Sequence, residues 1–103
     1  MFVGFNLPSA FAEDINKKGI VTLMYHRFEE NKYPTTNIRI HDFKKQIELI
    51  KNSQNEFINF NQLKSILIDK QAYAGKKVLI TIDDAFQSFY QNAWPILKKE
   101  NVP

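Results

Sequence analysis

Two aspartates stand side by side at the end of a strand-forming run, Val78-Leu79-Ile80-Thr81-Ile82-Asp83-Asp84. A short apolar, β-branched run bounded by turn signals reads as a buried strand of a parallel sheet. Parallel α/β folds place their chemistry at the C-terminal ends of strands. Two carboxylates at such a rim are costly to bury without a compensating cation. They are also the residue type of a metal ligand or a proton acceptor. Side chains alternate along a strand, so both acids reach one mouth only if the chain bends at the strand exit. A purely local reading of Asp84 is also open: it sits where an N-cap for a helix from Ala85 onward would sit.

A second polar pair follows a strand-like run. Ile20-Val21-Thr22-Leu23-Met24-Tyr25 leads into His26-Arg27. His26 reads first as a hydrogen-bonded strand-end histidine, with a place in the same mouth as Asp83 as the alternative. The other histidine, His41, lies beside a helix start. There is no cysteine, which excludes disulfides and thiolate chemistry within this sequence. The three glycines are Gly4, Gly19 and Gly75, so a phosphate-cradling G-x-x-x-x-G-K does not exist. Adjacent acids also fail the D-x-D spacing of a phosphatase, and a nucleotide-handling reading has no support.

The elements that must position these residues can be read in order. After the first strand, residues 28 to 40 are loop-like, with Tyr33-Pro34 forcing an extended or turn conformation. A helix is expected from Asp42, with Phe43, Ile47 and Ile50 on one apolar stripe and a fade near Asn52-Ser53. Phe57-Ile58 suggests a short strand. A second amphipathic helix comes next, capped by Asn59 or Asn61, with Leu63, Ile66 and Leu67 facing in. Beyond the aspartates, Phe86, Phe89 and Tyr90 have helical spacing, and Pro95 either breaks that helix or starts a new piece. Phe89, Tyr90 and Trp94 are expected in the core rather than as a sugar-stacking platform. Asn101 suits a C-terminal cap. Strand, helix, helix, strand, helix argues α/β with a parallel sheet. A (β/α) barrel typically takes about 200 residues or more. A chain of 103 residues is therefore expected to be the N-terminal part of a larger, truncated domain.

Composition sets outer limits. The chain is 44% hydrophobic and 24% charged, ordinary for a globular protein, and its net charge of +3 is mild. The lysine pairs Lys17-Lys18, Lys44-Lys45, Lys76-Lys77 and Lys98-Lys99 are scattered and read as solvated surface, so nucleic acid is not an expected partner. No stretch approaches the roughly 18 apolar residues of a transmembrane segment. Residues 1–12, MFVGFNLPSAFA, carry no charged side chain and end in Ala10-Phe11-Ala12 before Glu13, which fits a signal-peptidase site. Shorter than the usual ~15–30 residues and without a basic start, they read as a signal-peptide remnant. A loosely packed arm is the alternative. The export reading places the protein in the periplasm or outside the cell.

Three of these pieces, in this order, resemble the polysaccharide deacetylase family, the carbohydrate esterases that share the NodB-homology domain. Leu23-Met24-Tyr25-His26-Arg27 looks like the family's first strand. Phe43, Gln46, Ile47 and Ile50 look like the helix that comes after it. Thr81-Ile82-Asp83-Asp84-Ala85-Phe86 looks like the first catalytic motif, usually T-F-D-D-G-Y, with Ser88, Tyr90, Ala93 and Pro95-Ile96-Leu97-Lys98 matching downstream. The resemblance covers residues 19–103. It implies the N-terminal portion of a barrel-like domain that hydrolyses N-acetyl or O-acetyl groups from a polysaccharide. It makes Asp83 the general base and Asp84 a ligand of a divalent metal, commonly zinc, completed by an H-x-x-x-H pair that this sequence lacks. Residues 1–103 are accordingly expected to be inactive by themselves. Ile82 stands for the usual Phe, Ala85 for Gly and Phe86 for Tyr. These departures leave room for a degenerate carbohydrate-binding or scaffold domain on the same fold.

Overall fold

A computed structural model describes residues 18–103; the proposed leader, residues 1–12, lies outside the described residues. Strand β1 (Gly19–Tyr25) leads into β2 (Arg27–Phe28), a 3-10 turn (Pro34–Thr36) and β3 (Asn37–Ile38). Helix α1 (Ile40–Asn52), β4 (Asn55–Phe57), α2 (Phe60–Leu67) and β5 (Lys76–Ile82) come next. The chain ends in a π-helical turn (Phe89–Ala93) that runs into α3 (Trp94–Lys99). The main sheet has the order β1-β5-β4, and all its pairs are parallel. A two-stranded parallel ribbon joins β2 to β3. The expected parallel α/β order holds, with β4 starting two residues and ending one residue ahead of the Phe57-Ile58 reading and the short ribbon added.

Side chains at alternate positions of β1 and β5 face the helices. Leu23, Tyr25, Ile80 and Ile82 pack there against a core of Phe28, Phe43, Ile47, Ala93, Leu97 and Val102. Phe43 and Ile47 of α1 are buried, as the apolar stripe predicts. The aromatic centre is edge-on: the Tyr25–Phe43 ring centroids lie 5.1 Å apart at 86°, and those of Phe28–Phe43 lie 5.0 Å apart at 75°. Such geometry sets the electropositive edge of one ring against the face of the next. On the opposite face of β1, Met24 is 61% exposed. The same face is closed further into the sheet, where Leu79 of β5, the register partner of Thr22, is buried.

Helix α1 begins two residues before Asp42, and its N-cap Arg39 supplies no side-chain bond. The orphaned amide of Ile40 instead donates to Glu29 Oε1 at 2.6 Å, a cap delivered from the preceding loop. Helix α2 is closed locally. Asn59 accepts from the Gln62 amide while Gln62 accepts from the Asn59 amide, a capping box. Leu63 and Ile66 are half-buried, whereas Leu67, expected to face in, is exposed.

Pro95 shapes the last helix. It has no amide to offer the carbonyl four residues back, and its ring would clash there. The chain widens into the π turn, where the Trp94 amide donates to the Phe89 carbonyl, and Pro95 then sits in the first turn of α3. The extra residue rotates the downstream side chains around the helix axis. Tyr90 is 70% and Trp94 44% exposed, correcting the expectation that both lie in the core. Phe89 alone packs against it. Asn101, with φ of 53°, ends α3 as predicted. The Val102 amide donates to the Leu97 carbonyl at 2.9 Å and the Asn101 amide to that of Lys98 at 3.3 Å, with Val102 buried beneath.

Candidate active site at the sheet rim

Register places the first two polar groups. Tyr25 pairs with Ile82 in the parallel β1–β5 ladder, so the next residues in step are His26 and Asp83. The Asp83 amide donates to the Tyr25 carbonyl at 2.8 Å, carrying the ladder one step past the strand end. Neighbouring strands lie about 4.8 Å apart, and His26 Nε2 lies 3.7 Å from Asp83 Oδ2. That is an electrostatic neighbour and too long for a hydrogen bond. The Asp83 side chain is 42% exposed and that of His26 26%, so both face an open mouth.

The chain does bend at the strand exit. Asp84 has φ of 66° and Ala85 φ of 46°, two successive left-handed residues. Each costs an L-residue roughly 1–2 kcal/mol, with aspartate among the better-tolerated types and alanine not. Asp84 is exposed, and the helical turn begins at Gln87 rather than Ala85. An N-cap residue has extended backbone, so the local capping reading of Asp84 does not hold.

A set of long-range ties, which sequence reasoning missed, joins the segment after the turn to the loop after β1. The Arg27 guanidinium lies between two rings, 3.9 Å from the centroid of Tyr33 and 3.7 Å from that of Phe86. Its Nη1 is 3.4 Å from Glu30 Oε1, and its Nε is buried without a partner. Buried Ser88 accepts from the Phe28 amide at 3.1 Å and donates to Glu30 Oε2 at 2.6 Å. Asn92 Nδ2 donates to the Phe28 carbonyl at 3.1 Å. Tyr25 donates its hydroxyl to Gln46 Oε1 at 2.6 Å, linking the end of β1 to α1, and burial pushes its phenol above the usual range. Arg27 and Gln46 were visible only as members of a motif. The clue to their use was their place directly after a strand and at the edge of a helix's apolar stripe, three residues on from Phe43.

Around this network lies an open cleft of about 380 Å³ that includes Glu30, Phe86, Ser88 and Asn92. The larger groove between α1 and α3, about 590 Å³, shares no residue with the rim. Among the described residues, no three His, Asp or Glu side chains gather as a metal site. His41 stays apart, exposed at the start of α1 with Asp42 at 3.4 Å. Zinc takes three or four protein ligands, so residues 18–103 do not by themselves fit the metal.

No family profile and no curated protein matches the chain. Solved structures do, and two of them are instructive. IcaB from Ammonifex degensii superposes with a TM-score of 0.76 and 30% identity, over 85% of this chain and 37% of its own length. The Streptococcus pyogenes deacetylase PplD, in complex with acetate, superposes with a TM-score of 0.69 and 27% identity, over 81% of this chain and 39% of its own. The class is therefore a mixed α/β fold with parallel strands that corresponds to part of a deacetylase domain. Within that class, residues 18–103 have the fold of the N-terminal part of a polysaccharide deacetylase domain of the NodB type.

Proposed function

We propose that this chain supplies the first half of the active site of a hydrolase that removes N-acetyl or O-acetyl groups from a polysaccharide. One observation carries the reading: β-sheet register sets His26 beside Asp83, in a chain similar to a deacetylase whose structure holds acetate. In this reading Asp83 is the general base. It is open to the mouth and has a cationic partner available when His26 is protonated. Asp84, turned outward by its left-handed backbone, is one ligand of a divalent metal, zinc by preference, whose remaining ligands lie outside residues 18–103. Residues 19–103 are then the N-terminal portion of the catalytic domain and are inactive by themselves. Residues 1–12 are a signal-peptide remnant, with Ala10-Phe11-Ala12 before Glu13 supporting a periplasmic or secreted protein.

The test is acetate release from an N-acetylated oligosaccharide by the protein with its deacetylase domain complete. Asp83→Asn is expected to lower the rate by about 10²–10⁴-fold, the usual contribution of a positioned base, with the thermal midpoint nearly unchanged. Acetate release at the parent rate would remove Asp83 from the mechanism. The incomplete donor set and the Ala85 and Phe86 departures favour a second reading, a carbohydrate-binding or scaffold domain. Oligosaccharide binding without any acetate release would select it.

A further inference from the structure

We propose that Arg27 is a positioning residue for the aspartate pair: clamped between Tyr33 and Phe86, its guanidinium holds the Asp84-Ala85 turn in its left-handed shape. Its bearing on catalysis rests on the hydrolase reading above; the mechanical claim does not. Two consecutive non-glycine residues with positive φ persist only where their surroundings over-determine them. On the near side of the turn, the Asp83 amide is fixed to the Tyr25 carbonyl. On the far side, the first residue out of the turn is Phe86, and its ring lies under Arg27. The other face of the guanidinium is covered by Tyr33, from the loop ahead of α1.

The Arg27 side chain is only 19% exposed, and its buried Nε makes no hydrogen bond. Its Nη1 reaches Glu30 Oε1 at 3.4 Å, and the two rings supply the remaining contacts. A planar, delocalised cation can stack on both faces at once, whereas a lysine ammonium is a compact, strongly hydrated point charge. Arg27 also comes directly after His26, so one side chain steadies both strand exits that meet at the mouth.

The experiment is a double-substitution cycle on the 103-residue chain, read as thermal midpoints. Ala85→Gly relieves the left-handed strain and is expected to raise the parent midpoint by about 5 °C, given roughly 4–8 °C per kcal/mol for a domain of this size. In an Arg27→Lys background the turn is free to relax, little strain remains, and the same substitution is expected to add less than about 2 °C. Equal increments in the two backgrounds would overturn the proposal. Should Arg27→Lys fold poorly, Phe86→Leu tests the same clamp from its other side, and Phe86→Tyr, which keeps the ring, must preserve the parent increment. The backbone carbon shifts of Asp84 and Ala85 give a second readout. They are expected to report left-handed geometry in the parent and to move toward right-handed values in Arg27→Lys; unchanged shifts would also defeat the idea. Neither measurement involves substrate. A working clamp in a completed domain that releases no acetate would therefore sink the hydrolase reading and spare this one, and the reverse pattern would do the opposite.

Discussion

The chain passes from strand to helix after β4 and again after β5, and the two exits are built on different principles. After β4, Ile58 and Asn59 lead straight into α2, and the helix start is completed within four residues by the Asn59–Gln62 capping box. One backbone bond, from the Ile58 amide to the Val78 carbonyl at 2.9 Å, carries the ladder a step past the strand, no side chain from a distant segment enters the cap, and Asn59 keeps an extended backbone. After β5 the chain makes a left-handed double bend at Asp84-Ala85. Arg27, Phe28 and Glu30, roughly sixty residues away, then tie down the segment beyond it. Strain maintained by long-range contacts is the pattern expected where side chains must be aimed rather than merely connected. The β5 exit is also where the paired acids stand.

Substitutions can break or sharpen this contrast. The largest effect is expected at the long-range exit. Ser88→Ala leaves the Phe28 amide buried without its acceptor, at a cost of about 1–3 kcal/mol. The local exit should lose about 1 kcal/mol in Asn59→Ala, and only a few tenths in Asn59→Gly. Chemical denaturation of the three variants orders them, and a larger loss at Asn59 than at Ser88 would reverse the comparison. Next comes the opposite sign. Ala85→Gly is expected to stabilise by about 1 kcal/mol, because glycine adopts positive φ without a Cβ penalty. A loss of stability there would mean that the bend is not strained.

Smaller effects should appear as pH dependence. The Tyr25 phenol is raised by burial. Its contribution is therefore complete below the ordinary tyrosine range, near 10.0, and lost as pH climbs through the folded-state value. Tyr25→Phe should flatten the alkaline decline of the thermal midpoint, and an unchanged decline would place the titrating group elsewhere. The smallest effect is expected at the edge of the α1–α3 groove. There the Lys51 hydrogen bond and charge, the bond at 2.9 Å, hold the exposed Glu100 carboxyl below its usual range. That contribution is present at neutral pH and fades as pH falls through the lowered value. Glu100→Gln should remove only this slight acid-side slope.

Much of the architecture was readable from residue types. Strand β5 announced itself by five apolar or β-branched residues, α1 by the Phe43–Ile47 stripe, α2 by Asn59, and the end of α3 by Asn101. Each of these signals is local, acting within one turn or one strand. Leu67, Tyr90 and Trp94 were misplaced because burial on a short helix depends on what lies opposite. Helical phase, besides, shifts at a π turn that a single proline only hints at.

What the sequence determined by itself was therefore the set of elements and the presence of two acids at the end of a parallel strand, since propensity, periodicity and capping are short-range. Only the tertiary structure decided that His26 stands beside Asp83, that Asp84 turns outward instead of capping a helix, and that Arg27 sits between two rings. Those outcomes depend on strand register and on contacts between residues far apart in the chain. The energy of such contacts exists only once the loops between them have closed.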